Sequence, residues 1–179
     1  MALTAPHPES WVGNWTWPLP GDASCARRAR TLVVDTLASL TVPIDTVRDA
    51  ELMVSELATN ALQHADGHQP YELWLGSTES GELICAIFDT LRMRTLTEAA
   101  AVEDCDFGRG LGIVAALSNG RWGMYPTWSR SEPHVAGKAV WFGCPVTLPF
   151  ATISCRSVQC AQGPDTFVNS PHRPRSGLS

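Results

Sequence analysis

The segment Asp45–Ala65 constrains the fold more than any other, because its apolar residues recur every three or four positions along its length. This spacing predicts a long amphipathic helix with one apolar stripe. The stripe consists of Val47, Ala50, Val54, Leu57, Ala58, Ala61 and Leu62. Gly67 follows and suits the left-handed conformation that often ends a helix. Because such a stripe has to pack against a second layer of structure, the chain requires a layered fold.

Short segments of strand length lie on both sides of the predicted helix and indicate what that second layer is. They are Asn14–Leu19, Tyr71–Leu75, Glu82–Phe88, Arg121–Tyr125 and Lys138–Phe142. Pro18 places the first at an edge of the sheet, since proline cannot donate a ladder hydrogen bond. The others come in adjacent pairs, which favours antiparallel neighbours. The pattern therefore predicts an α+β fold, a two-layer sandwich with a mixed, mostly antiparallel sheet of about five strands and helices on one face.

Two further helices are predicted at Cys25–Leu40 and Gly108–Ser118 from the same apolar spacing. The total of 179 residues is enough for one core but not for two ordinary domains. We therefore expect a flexible N-terminus at residues 1–13, one folded domain at 14–148 and a disordered tail at 149–179. The tail is expected to be disordered because it is rich in Ser, Pro and Gly.

Charge and composition exclude several classes of protein. The formal net charge of −5 and the scattered basic residues argue against a general nucleic-acid binder, which needs clustered Lys and Arg. The chain has no signal-peptide pattern, and no segment approaches the ~18 continuous apolar residues of a membrane span. The six cysteines are interpreted as free thiols of a reducing compartment, because Cys85 and Cys144 lie in or beside apolar runs. A cytoplasmic protein is the expectation.

Three polar residues on the long predicted helix form the first candidate site. Glu56, Asn60 and His64 are spaced four residues apart, so they stack on one side of the helix beside the apolar stripe. A carboxylate and a carboxamide oxygen in such a position suit Mg²⁺ binding or the polarisation of a water molecule. The spacing alone is explained more simply by the ordinary polar face of an amphipathic helix.

Asp89 is the second candidate, because it closes the apolar strand Glu82–Phe88. A carboxylate at the end of a buried strand can accept a hydrogen bond from a ligand amine, such as the exocyclic nitrogen of adenine. Such a charge-assisted bond contributes about 1.5–3 kcal/mol, which corresponds to about tenfold to 150-fold in affinity. Taken alone, Asp89 is also explained as a cap on the turn that follows the strand.

The third candidate is the glycine-rich segment Gly108-Arg109-Gly110-Leu111-Gly112, which opens a helix that Asn119 and Gly120 are expected to end. Alternate glycines at a helix start allow successive backbone N–H groups to face an anion. The segment is not a P-loop, because no Gly-Lys-Ser/Thr follows, and Ile113 replaces the third glycine of a dinucleotide fingerprint. On this pattern a phosphate cradle and a plain glycine-rich loop are equally good interpretations.

In this order, the three candidates resemble the GHKL ATPase superfamily, and most closely its small bacterial branch of anti-sigma regulatory factors with serine/threonine-kinase character. Val54–Ala61 matches the family's N box, and Gly108–Val114 matches its second glycine box. Arg121–Gly123 and Gly137–Trp141 match its closing strands. The resemblance runs from about Trp15 to Pro145. It implies the histidine kinase-like, Bergerat-type ATP-binding fold.

The resemblance also implies ATP and Mg²⁺ as ligands and a role for each candidate residue. Glu56 would be the general base, Asn60 would hold the Mg²⁺ that bridges the phosphates, and Asp89 would bind the adenine amine. The glycine segment would wrap the triphosphate, through Gly108, Arg109, Gly110, Leu111 and Gly112. Catalysis would then rest mainly on positioning and on neutralising the charge of the transferred phosphoryl group.

The function that the resemblance implies is regulation of transcription. The protein would transfer the γ-phosphoryl group of ATP to a Ser or Thr of a small antagonist protein and would sequester a sigma factor, with a homodimer as a further expectation. The chain departs from the family directly after Asp89, where residues 90–94 lack the usual glycines, and in its acidic residues before Gly108. These departures motivate an alternative, a binding module without turnover in which ATP only sets the affinity for a partner protein.

Overall fold

The computed structural model describes residues 11–64, 69–90, 107–131 and 133–147. These residues contain five strands and three helices. The strands are β1 (Val12–Leu19), β2 (Tyr71–Ser77), β3 (Glu82–Asp89), β4 (Trp122–Trp128) and β5 (Ala136–Thr147). The helices are α1 (Cys25–Ser39), α2 (Ile44–His64) and α3 (Phe107–Leu117). Each predicted helix and strand is found, with ends that differ by a few residues and a β5 that is longer than expected.

The five strands form one sheet in the order β1-β2-β3-β5-β4. The predicted α+β class is confirmed, but the expected mixed character of the sheet is wrong, because every pairing among the described strands is antiparallel. The reason is the chain path: β4 runs into β5 through a short connection, and β5 returns alongside β3. β1 lies at an edge, as Pro18 predicts.

The sheet separates two clusters of buried apolar side chains, because successive residues of a strand point to opposite faces. The larger cluster lies between the sheet and the helices, and from β3 it takes Leu83, Cys85 and Ile87. The smaller cluster lies on the other face and contains no residue of a described helix: Trp11, Trp74, Ile84, Ala86, Phe88, Ala139 and Trp141. The described helices therefore pack on one face, as predicted.

The ends of α1 and α3 share one hydrogen-bond pattern. After α3, the N–H of Asn119 donates to the carbonyl of Ala116, and the N–H of Gly120 donates to the carbonyl of Ala115. Asn119 has a φ of 54°, the left-handed conformation of a Schellman motif. α1 ends in the same way with Thr41 at a φ of 57°. The prediction that Asn119 and Gly120 end the helix is confirmed.

Three cysteines lie in the described residues, and all three are free and buried: Cys25, Cys85 and Cys144. Burial raises the pKa of Cys25 to about 11 and that of Cys144 to about 12, and it raises the pKa of Cys85 as well. These thiols are therefore protonated at neutral pH and pack as small apolar groups. For these three residues the interpretation as free thiols is confirmed.

Some expectations fall outside the described residues. They concern Gly67, the segment 91–106 that precedes α3, the three remaining cysteines and the tail at 149–179. None of the helices in the described ranges is long and apolar enough to cross a membrane.

Candidate functional site

A small cavity lies on the helix side of the sheet, between α2, α3 and the strands β3, β4 and β5. Most of its lining is apolar: Leu57, Ala61, Ile87, Leu111, Met124 and Val140. Four polar residues complete it: Asn60, His64, Asp89 and Lys138. Its volume of about 30 Å³ is room for roughly one or two water molecules. An apolar slot with a few polar groups is the usual form of a small-molecule site.

Asp89 and Lys138 form a buried ion pair in the strand wall of the cavity. They lie directly opposite each other in the antiparallel pairing of β3 and β5, so their side chains project from the same face. Nζ of Lys138 donates to Oδ1 of Asp89 at 2.5 Å, and the two side chains are 13% and 2% exposed. A Cβ at Gly137 would overlap the carbonyl oxygen of Asp89. Glycine at this position therefore lets β5 approach the end of β3.

The glycine segment contacts the polar row of α2 on the helix side of the cavity. A Cβ at Gly110 would lie 2.7 Å from Oε2 of Glu56 and 3.3 Å from Nδ2 of Asn60. Any side chain at this position would displace the Glu56 carboxylate or the Asn60 amide. Asn60 lines the cavity and Glu56 does not, so the carboxylate lies one helical turn beyond the cavity.

The amide of Asn60 carries an unsatisfied buried atom. Its Nδ2 is buried and has no hydrogen-bond partner in the described part of the chain. Such an atom costs about 1–3 kcal/mol, which a ligand can recover. Because rotation by half a turn exchanges the oxygen and nitrogen of an amide, the unpaired atom can be a donor or an oxygen ligand. Asn60 is therefore the group at this position that a ligand would satisfy.

A metal at this position would need ligands from a bound molecule. Among the described residues, no three His, Cys, Asp or Glu side chains cluster closely enough to hold an ion. Mg²⁺, however, commonly takes only one or two protein ligands when phosphates and waters supply the rest. Asn60, with its unsatisfied amide, fits a Mg²⁺ that is held jointly with phosphate groups.

The glycines lie within the first turns of α3 and not in a loop before it, since the helix spans Phe107–Leu117. The first backbone N–H groups of a helix have no partner within the helix, and they lie at the positive end of its dipole. Leu111 lines the cavity, and a Cβ at Gly112 would have open space around it. The side chain of Arg109 falls outside the described part of the structure. α3 thus starts with donors that suit an anion.

A second buried polar group lies on the opposite face of the sheet. The carboxylate of Glu72 accepts hydrogen bonds from Nε1 of Trp74 at 2.7 Å and from the backbone N–H groups of Arg130 and Ser131 at 2.9 Å each. The guanidinium carbon of Arg130 lies 4.2 Å from the centre of the Trp74 ring. Burial lowers the pKa of Arg130 and raises that of the neighbouring Tyr125. Glu72 thus ties the β4–β5 connection to β2, away from the cavity.

Comparison with known proteins assigns no function. No protein-family model matches the sequence. No curated protein matches it at a significant level either. The residues and their geometry therefore carry the functional argument.

The structure brings the sequence candidates to one region of the molecule. Asn60, Asp89 and Leu111 line one cavity, while Gly110 contacts Glu56 and Asn60. His64, the third member of the helical row, also lines the cavity.

Sequence reasoning missed Lys138 as a site residue. Its signal was a lone lysine in an otherwise apolar strand, between Gly137 and Ala139. Its partner Asp89 follows only from the register of β3 and β5. Met124 was also missed, because a methionine in a strand is more often a core residue.

Proposed function

We propose that the protein binds Mg-ATP in this cavity, through a Bergerat-type fold, and uses the nucleotide to regulate a partner protein. The observation that carries the proposal is the contact of Gly110 with Glu56 and Asn60. Two motifs that are far apart in the sequence meet beside a cavity that also contains Asp89. The antiparallel sheet with helices on one face is compatible with that fold.

The apolar slot supports binding of a base. Ile87, Leu111, Met124 and Val140 offer apolar surface for the faces of a purine, and Asp89 offers an acceptor for its amine. The slot is smaller than a purine, so binding requires side chains at its rim to move. Leu111, Met124 and Lys138 have the rotatable side chains that such movement needs.

The start of α3 supports binding of the phosphates. Backbone N–H groups of Gly108, Arg109 and Gly110 belong to the first helical turn, where N–H groups lack intrahelical partners. Asn60 would hold Mg²⁺ with its amide oxygen. The ion, when bound, supplies positive charge that neutralises the phosphate oxygens. Each group would thereby satisfy donors or acceptors that the protein leaves unpaired.

Phosphoryl transfer to a Ser or Thr of a partner protein extends the proposal. The partner's hydroxyl oxygen would form a bond to the γ-phosphorus, and the bond to the bridging oxygen of the leaving ADP would break. The hydroxyl proton would pass to the carboxylate of Glu56, the general base. In this form the protein is a serine/threonine-protein kinase that acts on a small antagonist of a sigma factor.

One observation favours the alternative without turnover. The Glu56 carboxylate lies against the backbone of α3 and does not line the cavity. In that position it can report on the placement of α3 instead of accepting a proton. ATP would then shift the protein between conformations with different affinities for a partner protein.

Calorimetric titration with Mg-ATP tests the shared part of both functions. We expect saturable binding, and a heat that is zero across the titration would contradict it. Transfer is tested with γ-labelled ATP and the small proteins encoded beside this one. Glu56→Gln should retain ATP binding and lose the labelled partner, whereas Glu51→Gln, on the same helix, should retain both. Equal labelling by Glu56→Gln would remove Glu56 from the role of general base.

A further inference from the structure

Lys138 occupies a position in the cavity that the proposed function does not use. Its ammonium group is largely buried, and its Nζ lies 2.5 Å from Oδ1 of Asp89. Both residues line the cavity, whose other walls are mainly apolar. A buried lysine is expensive unless its charge is paired. The pair therefore places one strong donor and one strong acceptor side by side in an apolar slot.

The two groups have complementary hydrogen-bonding capacity. A lysine ammonium has three donors and no acceptor, and an ionised carboxylate only accepts. Each can keep the bond to the other and still make further bonds: Lys138 has two N–H groups left, and the Asp89 carboxylate has further lone pairs. Their 2.5 Å separation is short enough for both to reach adjacent polar atoms on one edge of a planar ring.

Adenine carries such a pair of atoms. Its exocyclic N6 amine is a donor, and the adjacent ring nitrogen N1 is an acceptor. In the same orientation guanine presents the reverse, since its O6 accepts and its N1–H donates. Against Asp89 and Lys138, guanine would therefore face an acceptor with an acceptor and a donor with a donor. Unpaired polar groups of this kind produce strong discrimination between ligands.

We propose that Lys138 is a specificity-determining residue that donates a hydrogen bond to N1 of adenine while Asp89 accepts one from N6. The inference rests on the proposed nucleotide site and adds a second reader of the base. The flexible stem of lysine allows Nζ to turn toward N1 without leaving the carboxylate. The ion pair is thus a preformed recognition unit for the base and not only a support for the sheet.

A chemical double-mutant cycle tests the inference. The ligands are Mg-ATP and Mg-1-deaza-ATP, in which a C–H group replaces N1, and the proteins are wild type and Lys138→Met. We expect wild type to bind the deaza analogue about tenfold to 150-fold more weakly than ATP. Lys138→Met should bind ATP more weakly than wild type and should lose less than about threefold on the change of ligand. The same loss in both proteins would show that Lys138 does not contact N1.

Two controls protect the cycle. Arg48→Met removes an exposed positive charge from α2 and should reproduce the wild-type ratio, which separates a local contact from an effect of net charge. Wild type alone provides a measurement that does not depend on a variant's folding: it should prefer ATP to GTP. Equal binding of ATP, GTP and 1-deaza-ATP by wild type overturns this inference but leaves the nucleotide site intact. Binding of none of them overturns the proposed function itself.

Discussion

Glu72 and Asp89 are both buried carboxylates on neighbouring strands, yet they face opposite sides of the sheet and have different kinds of partner. Glu72 accepts from the indole of Trp74 and from the backbone N–H groups of Arg130 and Ser131. All three donors are fixed by the fold. Asp89 accepts from the end of a flexible lysine side chain, beside a cavity. One carboxylate is enclosed by the protein, and the other is adjacent to space that a ligand can enter.

The difference separates structural from functional burial. A carboxylate that is satisfied by backbone donors holds two segments in place, and its loss leaves those donors unpaired. A carboxylate that is paired with a flexible cation can exchange part of its hydrogen bonding with a ligand at little cost. Burial alone does not distinguish the two, because both residues are almost fully buried.

The largest expected effect is on stability, at Glu72. Glu72→Gln removes the charge and replaces one acceptor oxygen with a donor amide that faces N–H groups. We expect the free energy of unfolding to fall by about 3 kcal/mol, measured by urea denaturation. Glu79→Gln, in the exposed β2–β3 turn, should change it by less than about 0.5 kcal/mol. A loss at Glu72 as small as that at Glu79 would remove the structural role of Glu72.

Asp89→Asn should show the opposite pattern. The variant loses the charge that would accept from the adenine amine, so the affinity for Mg-ATP should fall about tenfold to 150-fold, or about 1.5–3 kcal/mol. The loss of unfolding free energy should be smaller than for Glu72→Gln. Calorimetric titration and urea denaturation of both variants give the four numbers. If Asp89→Asn destabilises the fold as much as Glu72→Gln but binds ATP normally, the comparison fails.

The comparison extends to the helix side of the cavity through Gly110. Gly110→Ala brings a methyl group within 2.7 Å of Oε2 of Glu56, so the carboxylate has to move. We expect about tenfold weaker Mg-ATP binding, with unfolding free energy within about 1 kcal/mol of wild type, since Ala favours the helix. Gly112→Ala is the matched control, because its Cβ would have no neighbour within 4 Å. Equal affinities for the two variants would count against a role for Gly110 at the site.

The smallest effect is expected on the face that carries Glu72. The hydroxyl of Tyr125 is buried without a hydrogen-bond partner in the described residues. Because an unsatisfied buried hydroxyl is costly, Tyr125→Phe should raise the unfolding free energy by about 1 kcal/mol. It should leave Mg-ATP affinity unchanged. A destabilised variant in urea denaturation would mean that the hydroxyl does have a stabilising partner.

Much of the fold could be predicted from local pattern. The stripe of α2 from Val47 to Leu62 and the glycine-rich start of α3 determine where helices form. The alternation and turn residues around Glu82–Asp89 do the same for a hairpin. The order of the sheet could not be read in this way. β5 lies between β3 and β4, and that insertion depends on packing between segments distant in the sequence.

The sequence by itself determined the residue types that a nucleotide site needs and their local spacing, because helical and strand periods are properties of consecutive residues. Local spacing is therefore enough to name Glu56, Asn60 and Asp89 as candidates. Only the tertiary structure decided that Gly110 lies against Glu56 and Asn60, and that Lys138 lies against Asp89. Those contacts depend on helix packing and on strand register, and a shift of the β3–β5 register by one residue would turn Lys138 to the other face.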